Sequence, residues 1–252
     1  MFWRLDAWAL AALLAAAMVA AWSAGFGWGR RVRIRGGSFE WRPIDDGCVV
    51  LLTLLLAFTF AMALGKHEQR RAALVADTNA IGDFYTCVSL LPGQLRVPIQ
   101  DLIREYTSLR LEVSSRPLHQ IDLEKPLQRI RQIQEEATVL VGEGVRVSSF
   151  LAEPLVDTLN GVTSSHAARL AAAKDRLPPS VVIALILAAA ALSARIGVQQ
   201  GAEGRTQVPG LCLFVFLVTL VVYVTMDLDQ PARGWIRVSQ EPMERLLSSM
   251  TQ

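Results

Sequence analysis

Cysteine and histidine are both scarce in this sequence, with three of each among 252 residues. Cys48 and Cys212 lie in apolar stretches, Cys87 stands alone, and no Cys-x-x-Cys pair occurs. The histidines are scattered and form no His-Glu-x-x-His pattern. Three cysteines without such a pair are typical of unpaired thiols in a bacterial-type inner membrane protein, so the sequence predicts neither a disulfide framework nor a zinc site. We expect no metal site.

Signatures of common enzymes are missing as well. The sequence contains no Walker loop, no Gly-x-Gly-x-x-Gly and no Gly-x-Ser-x-Gly. Without a convergent set of acid, base and nucleophile we expect no catalytic residues and no cofactor. The formal net charge of +2 supplies no bulk basic field, so nucleic acid is not an expected partner.

Charge is also absent from four long stretches. They are residues 7–28, 47–65, 177–194 and 206–226, with 22, 19, 18 and 21 residues. A helix needs roughly 20 apolar residues to cross the hydrocarbon core, and lipid offers no partner to a free backbone amide. The sequence therefore predicts four transmembrane helices in the lipid bilayer. A cleaved signal peptide is the alternative for the first stretch, which is long for that purpose.

The spans divide the chain into four parts. Residues 1–65 hold spans 1 and 2 with a short basic loop, "GRRVRIRGGSFEWRPIDD", and residues 177–226 hold spans 3 and 4, joined by "RIGVQQGAEGRTQ". Residues 66–176 form a polar domain with 14 basic and 14 acidic residues, and residues 227–252 form a tail with a helix.

The polar domain shows helical periodicity and no strand pattern. Ile130, Ile133, Ala137 and Leu140 follow the three-to-four spacing of an amphipathic helix, and the pair Gly142 and Gly144 is expected to end it. Further helices are expected over about 97–113 and from Leu151 onward, and the second span should continue to about Leu90. The predicted fold class is all-α.

The topology follows from the number of spans. Four spans place the polar domain and both termini on one side, with nine basic residues near the membrane against seven on the other. The positive-inside rule favours a cytoplasmic polar domain in a bacterial inner membrane protein.

The stretch "DTNAIGDF" at 77–84 begins like a calcium loop. A calcium loop requires an oxygen ligand at its fifth position and a glutamate at its twelfth, where this sequence has Ile81 and Val88. A continuous helix fits better, with Ala80 and Gly82 as a small surface that another helix can approach closely.

The tail residues Asp227 and Asp229 also have two interpretations. They are either a cation site or helix-end carboxylates that accept hydrogen bonds from nearby N–H groups.

The second span is the candidate pore helix. Its candidate pore-lining residues are Thr53, Ala57, Phe58, Phe60 and Met62, and its candidate anion-attracting vestibule is Lys66, Arg70 and Arg71. In an oligomer such a helix can line a pore with a hydrophobic constriction and a basic mouth. Simple packing within a helical bundle is the alternative for the same residues.

Two segments resemble the bestrophin-like domain family of bacterial membrane proteins. The first has Arg70-Arg71, Leu74-Val75, Asn79-Ala80-Ile81-Gly82, Tyr85 and Leu90-Leu91-Pro92, and the second has Leu228-Asp229, Pro231, Gly234, Val238-Ser239 and Pro242. Departures are Asp77-Thr78, where Glu-Ala is typical, and Gln230, where Arg is common. In the tail, Ser239 is expected to be the N-cap of a helix with Pro242 in its first turn.

The resemblance implies a distant likeness to bestrophins, which are pentameric chloride channels whose second span forms the neck. We therefore expect a homo-oligomeric channel, a pentamer by analogy, that passes inorganic anions. The alternative is a non-conducting membrane scaffold or signalling protein whose helical domain binds a cytoplasmic partner.

Overall fold

The structure, a computed structural model, describes residues 6–37, 43–115, 124–230 and 234–251. These residues form eight α-helices and no strand. The helices are α1 (Ala7–Ile34), α2 (Pro43–Val88), α3 (Gly93–Ser115), α4 (Glu124–Val147), α5 (Ala152–Lys174), α6 (Pro179–Glu203), α7 (Val208–Asp229) and α8 (Glu241–Met250). A single 3₁₀ turn, Ser149–Leu151, precedes α5.

Within the part of the chain that the structure describes, four segments are long and apolar enough to cross a membrane. They are Ala7–Ile34, Asp45–Val88, a segment within Ser149–Glu203 that contains α6, and Val208–Asp229. The predicted all-α membrane architecture with four spans is confirmed.

The chain forms two compact units that interleave along the sequence. The first, here called the spanning unit, comprises residues 1–66 and 176–236, and the second, the polar unit, comprises residues 67–175 and 237–252. The polar unit is built from the later part of α2 with α3, α4, α5 and α8. Each unit has its own apolar core.

In the spanning unit, α1 and α6 run parallel with their backbones in contact. A Cβ atom on Gly25 would lie 2.1 Å from the carbonyl oxygen of Ala194, and one on Gly29 would lie 2.1 Å from that of Val198. On the opposite helix, a Cβ on Gly197 would lie 2.2 Å from a carbonyl oxygen of α1. Small residues at such crossings let helices gain close packing where the hydrophobic effect between them is weak.

Both connections in the spanning unit are more helical than the sequence suggested. α1 continues through the first arginines to Ile34, and α6 continues through Gly201 to Glu203. The segments "GRRVRI" and "RIGVQQGAE" were expected to be loops because they carry charge and glycine. The glycine contacts between α1 and α6 explain the difference, since tertiary packing overrides the low helix propensity of glycine.

In the polar unit, α4 also runs past its predicted end. It continues through Gly142 and Gly144 to Val147. A Cβ atom on Gly144 would make ordinary van der Waals contacts, 3.4 Å from Leu91 and 3.5 Å from Leu155. Neither glycine ends the helix, so the expected stop at Gly142 and Gly144 was wrong.

Candidate functional site

In the span 47–65, α2 contacts its own unit along one narrow stripe. Leu52, Thr59 and Ala63 are buried there, at the seven- and four-residue spacings of a single helix face. Thr59 satisfies its hydroxyl locally by donating to the carbonyl oxygen of Leu55, 2.6 Å away. The remaining faces of the span are largely uncovered within the protomer.

All five candidate pore-lining residues lie on those uncovered faces. Thr53, Ala57, Phe58, Phe60 and Met62 are exposed, with Phe58 exposed to 61%. They divide between two flanks of the helix. Thr53, Ala57 and Phe60 follow one helical stripe, and Phe58 and Met62, four residues apart, follow another.

The three vestibule candidates lie in different environments. Lys66 is half-buried and Arg71 is exposed, whereas Arg70 is only 6% exposed. Arg70 donates from Nη2 to the carbonyl oxygen of Asp175 at 2.9 Å and from Nε to that of Ala172 at 3.3 Å. These acceptors lie at the C-terminus of α5, where a cation complements the helix dipole. Within the protomer, Arg70 thus stabilises the end of α5.

The strongest electrostatic feature of the polar unit is centred on Asp77 of α2, which is fully buried. Its Oδ2 accepts a hydrogen bond from Nη2 of Arg110 on α3 at 2.6 Å and one from Nη1 of Arg169 on α5 at 2.9 Å. Ser165, also on α5, donates to Oδ1 at 3.3 Å. One carboxylate therefore joins three helices, and it offsets the cost of burying two guanidinium groups.

Polar groups around Asp77 extend this network. Nη1 of Arg110 contacts Nδ1 of His166, and Nη2 of Arg169 donates to Ser114 at 2.9 Å and to Gln240 at 3.0 Å. Because Nδ1 of His166 faces a guanidinium, the acceptor tautomer of the neutral imidazole fits this contact.

Two pKa values reflect the burial of this network. Burial, and then the nearby charge of Arg110, lower the pKa of Arg169. Burial raises the pKa of Tyr106, whose ring lies under the Arg110 guanidinium carbon at 5.6 Å from its centroid. Both pKa values move in the direction expected for groups with little access to water.

The rest of "DTNAIGDF" packs as a helix. Ala80 lies 4.0 Å from the position a Cβ on Gly161 would take, and a Cβ on Gly82 would lie 3.4 Å from Leu246 of α8. Other helices therefore contact both residues at ordinary van der Waals distances, while Asn79 is exposed. Within the described ranges no group of three or more His, Cys, Asp or Glu side chains is arranged to hold a metal ion.

In the spanning unit, the tail carboxylates bind backbone amides. Asp227 accepts from the amides of Trp235 and Ile236, both at 2.9 Å, and Asp229 accepts from that of Leu177 at 3.0 Å. A Cβ on Gly234 would lie 2.6 Å from the Asp227 carbonyl oxygen, so this position requires glycine. Both aspartates thus act as helix-end carboxylates.

The remaining motif residues mark chain turns. Pro92 is exposed and stands between α2 and α3, and Pro242 lies in the first turn of α8 as expected. The expected N-cap was misplaced by one residue, because Gln240 occupies that position. Ser239 still supports the turn, since its hydroxyl accepts from the Glu241 amide at 3.3 Å. Pro231 lies outside the described residues.

Two features were not anticipated from the sequence. The partners of Asp77 lie 33 and 92 positions away along the chain, so no local spacing reveals them. The α1–α6 contact did have a signal, because Gly25 and Gly29 form one Gly-x-x-x-Gly motif and Gly197 and Gly201 form another.

Four apolar helices long enough to span a membrane, together with a separate polar unit that is also helical, define an integral membrane protein of the all-helical class. The bestrophin-like domain model matches residues 42–243. The chain belongs to the bestrophin-like family.

Two solved structures have the same fold. One is a crystal structure of a variant of a bacterial bestrophin homologue from Klebsiella pneumoniae, with a TM-score of 0.66 and 13% identity over 96% of this chain and 97% of that chain. The other is a crystal structure of a membrane protein variant, with a TM-score of 0.61 and 12% identity over 97% and 98% of the two chains. Comparison with curated protein sequences finds no match.

Proposed function

We propose that the protein is an oligomeric ion channel that passes anions through a pore lined by α2. The observation that carries the proposal is the uncovered apolar surface of this span. Within the protomer, the helix is buried at Leu52, Thr59 and Ala63 and half-buried at Leu55 and Leu56. The flanks that carry Thr53 and the exposed phenylalanines are left for other copies. The family resemblance to bestrophin channels supports the same role for the second span.

A hydrophobic neck is the expected constriction. Large apolar side chains that converge on a pore axis exclude water when the passage is narrow, and ions then cross only when the passage widens. Phe58 with Met62, or Phe60 with Thr53 and Ala57, supply this lining. Because the two groups lie on different flanks, only one of them faces the axis.

A basic mouth supplies the preference for anions. Arg71 is exposed and Lys66 half-buried on the turns that follow the span. Several copies arranged around an axis would concentrate these cations and raise the local concentration of anions. Arg70 contributes less, because carbonyl oxygens of α5 occupy its guanidinium.

The proposal requires a homo-oligomer, since one α2 helix cannot enclose a pore. A pentamer is the assembly that the bestrophin resemblance implies. The expected location is a bacterial inner membrane, with the polar unit and both termini in the cytoplasm. We expect the protein to have no catalytic activity and no cofactor.

Chloride flux from liposomes that hold the purified protein tests this function. Phe58→Ala and Phe60→Ala are measured separately, beside protein-free liposomes. Phe216→Ala on α7 is the matched control, because Phe216 is an apolar span residue with the same 61% exposure as Phe58. Flux that requires protein and rises in one of the two α2 variants, but not in the control, supports the pore and identifies its flank.

Absence of flux from folded protein, or an equal rise in all three variants, would overturn a neck on α2. The particle mass in detergent adds an independent criterion. A ring of four or more subunits agrees with a channel, whereas a monomer or dimer without flux favours the membrane scaffold.

A further inference from the structure

The surface of the spanning unit carries a groove between α1 and α6. The groove has a volume of about 470 Å³ and is lined by Ala21, Ala24 and Trp28 of α1 and by Ala191, Ala194 and Val198 of α6. It exists because the glycine contacts bring the two backbones together while small side chains flank the crossing. Its volume falls within the range of ordinary ligand sites.

The groove lies at the depth of the lipid chains. Most of its lining belongs to the charge-free stretches 7–28 and 177–194. Trp28, at the end of the first stretch, is 66% exposed. Tryptophan favours the boundary between hydrocarbon and headgroups, so Trp28 indicates the level at which the groove leaves the apolar core.

Just beyond Trp28 the same side of the helix pair becomes basic. Arg31 follows Trp28 by three residues, which places it on the groove side of α1. Arg35, seven residues after Trp28, is the C-cap of the same helix, and both arginines are exposed. Arg205 is exposed immediately after the end of α6, and α1 and α6 run parallel, so all three cations lie at one end of the groove.

Two other arginines near the groove already contact groups within the protomer. Arg195 lines the groove, but its Nε donates to Asp45 at 2.7 Å. The guanidinium of Arg33 lies against Gly204 at the C-terminus of α6, where it complements the helix dipole. Arg31, Arg35 and Arg205 are therefore the groups best placed to receive a further anion.

We propose that this groove binds an anionic phospholipid, with an acyl chain along the apolar floor and the phosphate at Arg31, Arg35 and Arg205. The occupant must combine a long apolar part at membrane depth with negative charge at the interface. An anionic phospholipid has both, and basic residues at a membrane surface attract such headgroups. The site does not depend on ion conduction.

Lipid retention measured by native mass spectrometry on the full-length, delipidated protein tests the proposal. Phosphatidylglycerol and phosphatidylcholine with identical chains are added in turn, with glycerol phosphate as a headgroup that lacks chains. Wild-type protein should retain phosphatidylglycerol preferentially and should not retain glycerol phosphate. Arg31→Gln combined with Arg35→Gln should weaken the preference by about tenfold.

Two pairs of variants separate the groove from general effects. Ala24→Phe should block the groove and reduce retention of both lipids, whereas Ala20→Phe, on an exposed position outside the groove lining, should not. Arg96→Gln combined with Arg131→Gln removes the same charge from exposed positions of the polar unit and should leave the preference intact.

Equal retention of the two lipids by wild-type protein would overturn the proposal, as would an unchanged preference in the Arg31/Arg35 variant. A disulfide between protomers through Trp28→Cys would assign the groove to a second copy of the chain and would also overturn it. Since these measurements need no flux, the lipid site and the channel can fail separately.

Discussion

Asp77 on α2 and Arg110 on α3 form an ion pair that joins two helices inside the polar unit, with Nη2 2.6 Å from Oδ2 and side-chain exposures of 0% and 9%. Arg169 brings a third helix to the same oxygen. Asp77 belongs to the stretch 77–84, and its carboxylate is engaged by contacts between helices of the polar unit.

Loss of the carboxylate should therefore destabilise the polar unit strongly. Asp77→Asn leaves the buried guanidinium of Arg110 and the half-buried one of Arg169 without a countercharge. We expect the free energy of unfolding to fall by about 3 kcal/mol. Chemical denaturation in detergent measures the change. Asp83→Asn, on an exposed turn of the same helix, is the control and should change little. Equal stability of the two variants would contradict a structural role for the pair.

Alanine substitutions at two glycines of α1 should have very different effects on the stability of the protein. Gly29→Ala places a methyl group against the Val198 carbonyl oxygen and should separate α1 from α6, whereas Gly27 has open space around it. Gly27→Ala should be neutral or stabilise the helix by about 0.5 kcal/mol, because alanine has the higher helix propensity. Thermal unfolding of both variants measures the difference. A Gly29→Ala protein as stable as Gly27→Ala would argue against the backbone contact.

An ion pair on the surface of the polar unit predicts that the stability of the fold depends slightly on pH. Hydrogen bonds from Arg129 to Glu105, at 2.7 and 2.8 Å, lower the pKa of Glu105 in the folded protein. A lowered folded pKa stabilises the fold above the unfolded pKa, which is about 4.3. That contribution is lost as pH falls through the lower, folded value.

Glu105→Gln should therefore be slightly less stable than wild type at pH 7, and the difference should vanish in strong acid. Urea titrations at several pH values measure this. Glu135→Gln on α4 removes another exposed carboxylate and should not reproduce the pattern. A difference that persists unchanged after Glu105 has been protonated in the folded protein would show that Glu105 acts by packing and not by charge.

The last helix should loosen when one arginine is removed. Arg104 donates to the Met250 carbonyl oxygen at 2.8 Å and to the Tyr85 hydroxyl at 2.8 Å, which ties the end of α8 to α2 and α3. Arg104→Gln should speed amide hydrogen exchange across Glu241–Met250, while Arg96→Gln on an exposed turn of α3 should not. Unchanged exchange would mean that Met243 and Met250 hold α8 through their burial alone.

The architecture was predictable because its signals are local. Charge-free stretches of about 20 residues have few alternatives to spanning helices, and the apolar spacing around Ile130 and Ile133 follows directly from helical geometry. The pairing of Asp77 with Arg110 and Arg169 was not predictable, since it depends on how helices distant in sequence meet. The ends of α1 and α6 were missed because charge and glycine suggest loops until the close contact is known.

The direct contact of α1 with α6 has a consequence for synthesis of the protein. The first helix ends at Ile34 and its partner begins at Pro179, so the ribosome must add most of the polar unit before the pair can form. At ordinary rates of elongation this takes on the order of ten seconds. The core of the polar unit is complete only when Met243 and Met250, which follow α7 in the sequence, have been added. Both cores therefore stay incomplete while most of these residues are being added, and the handling of the new chain by insertion factors and chaperones becomes part of its biogenesis.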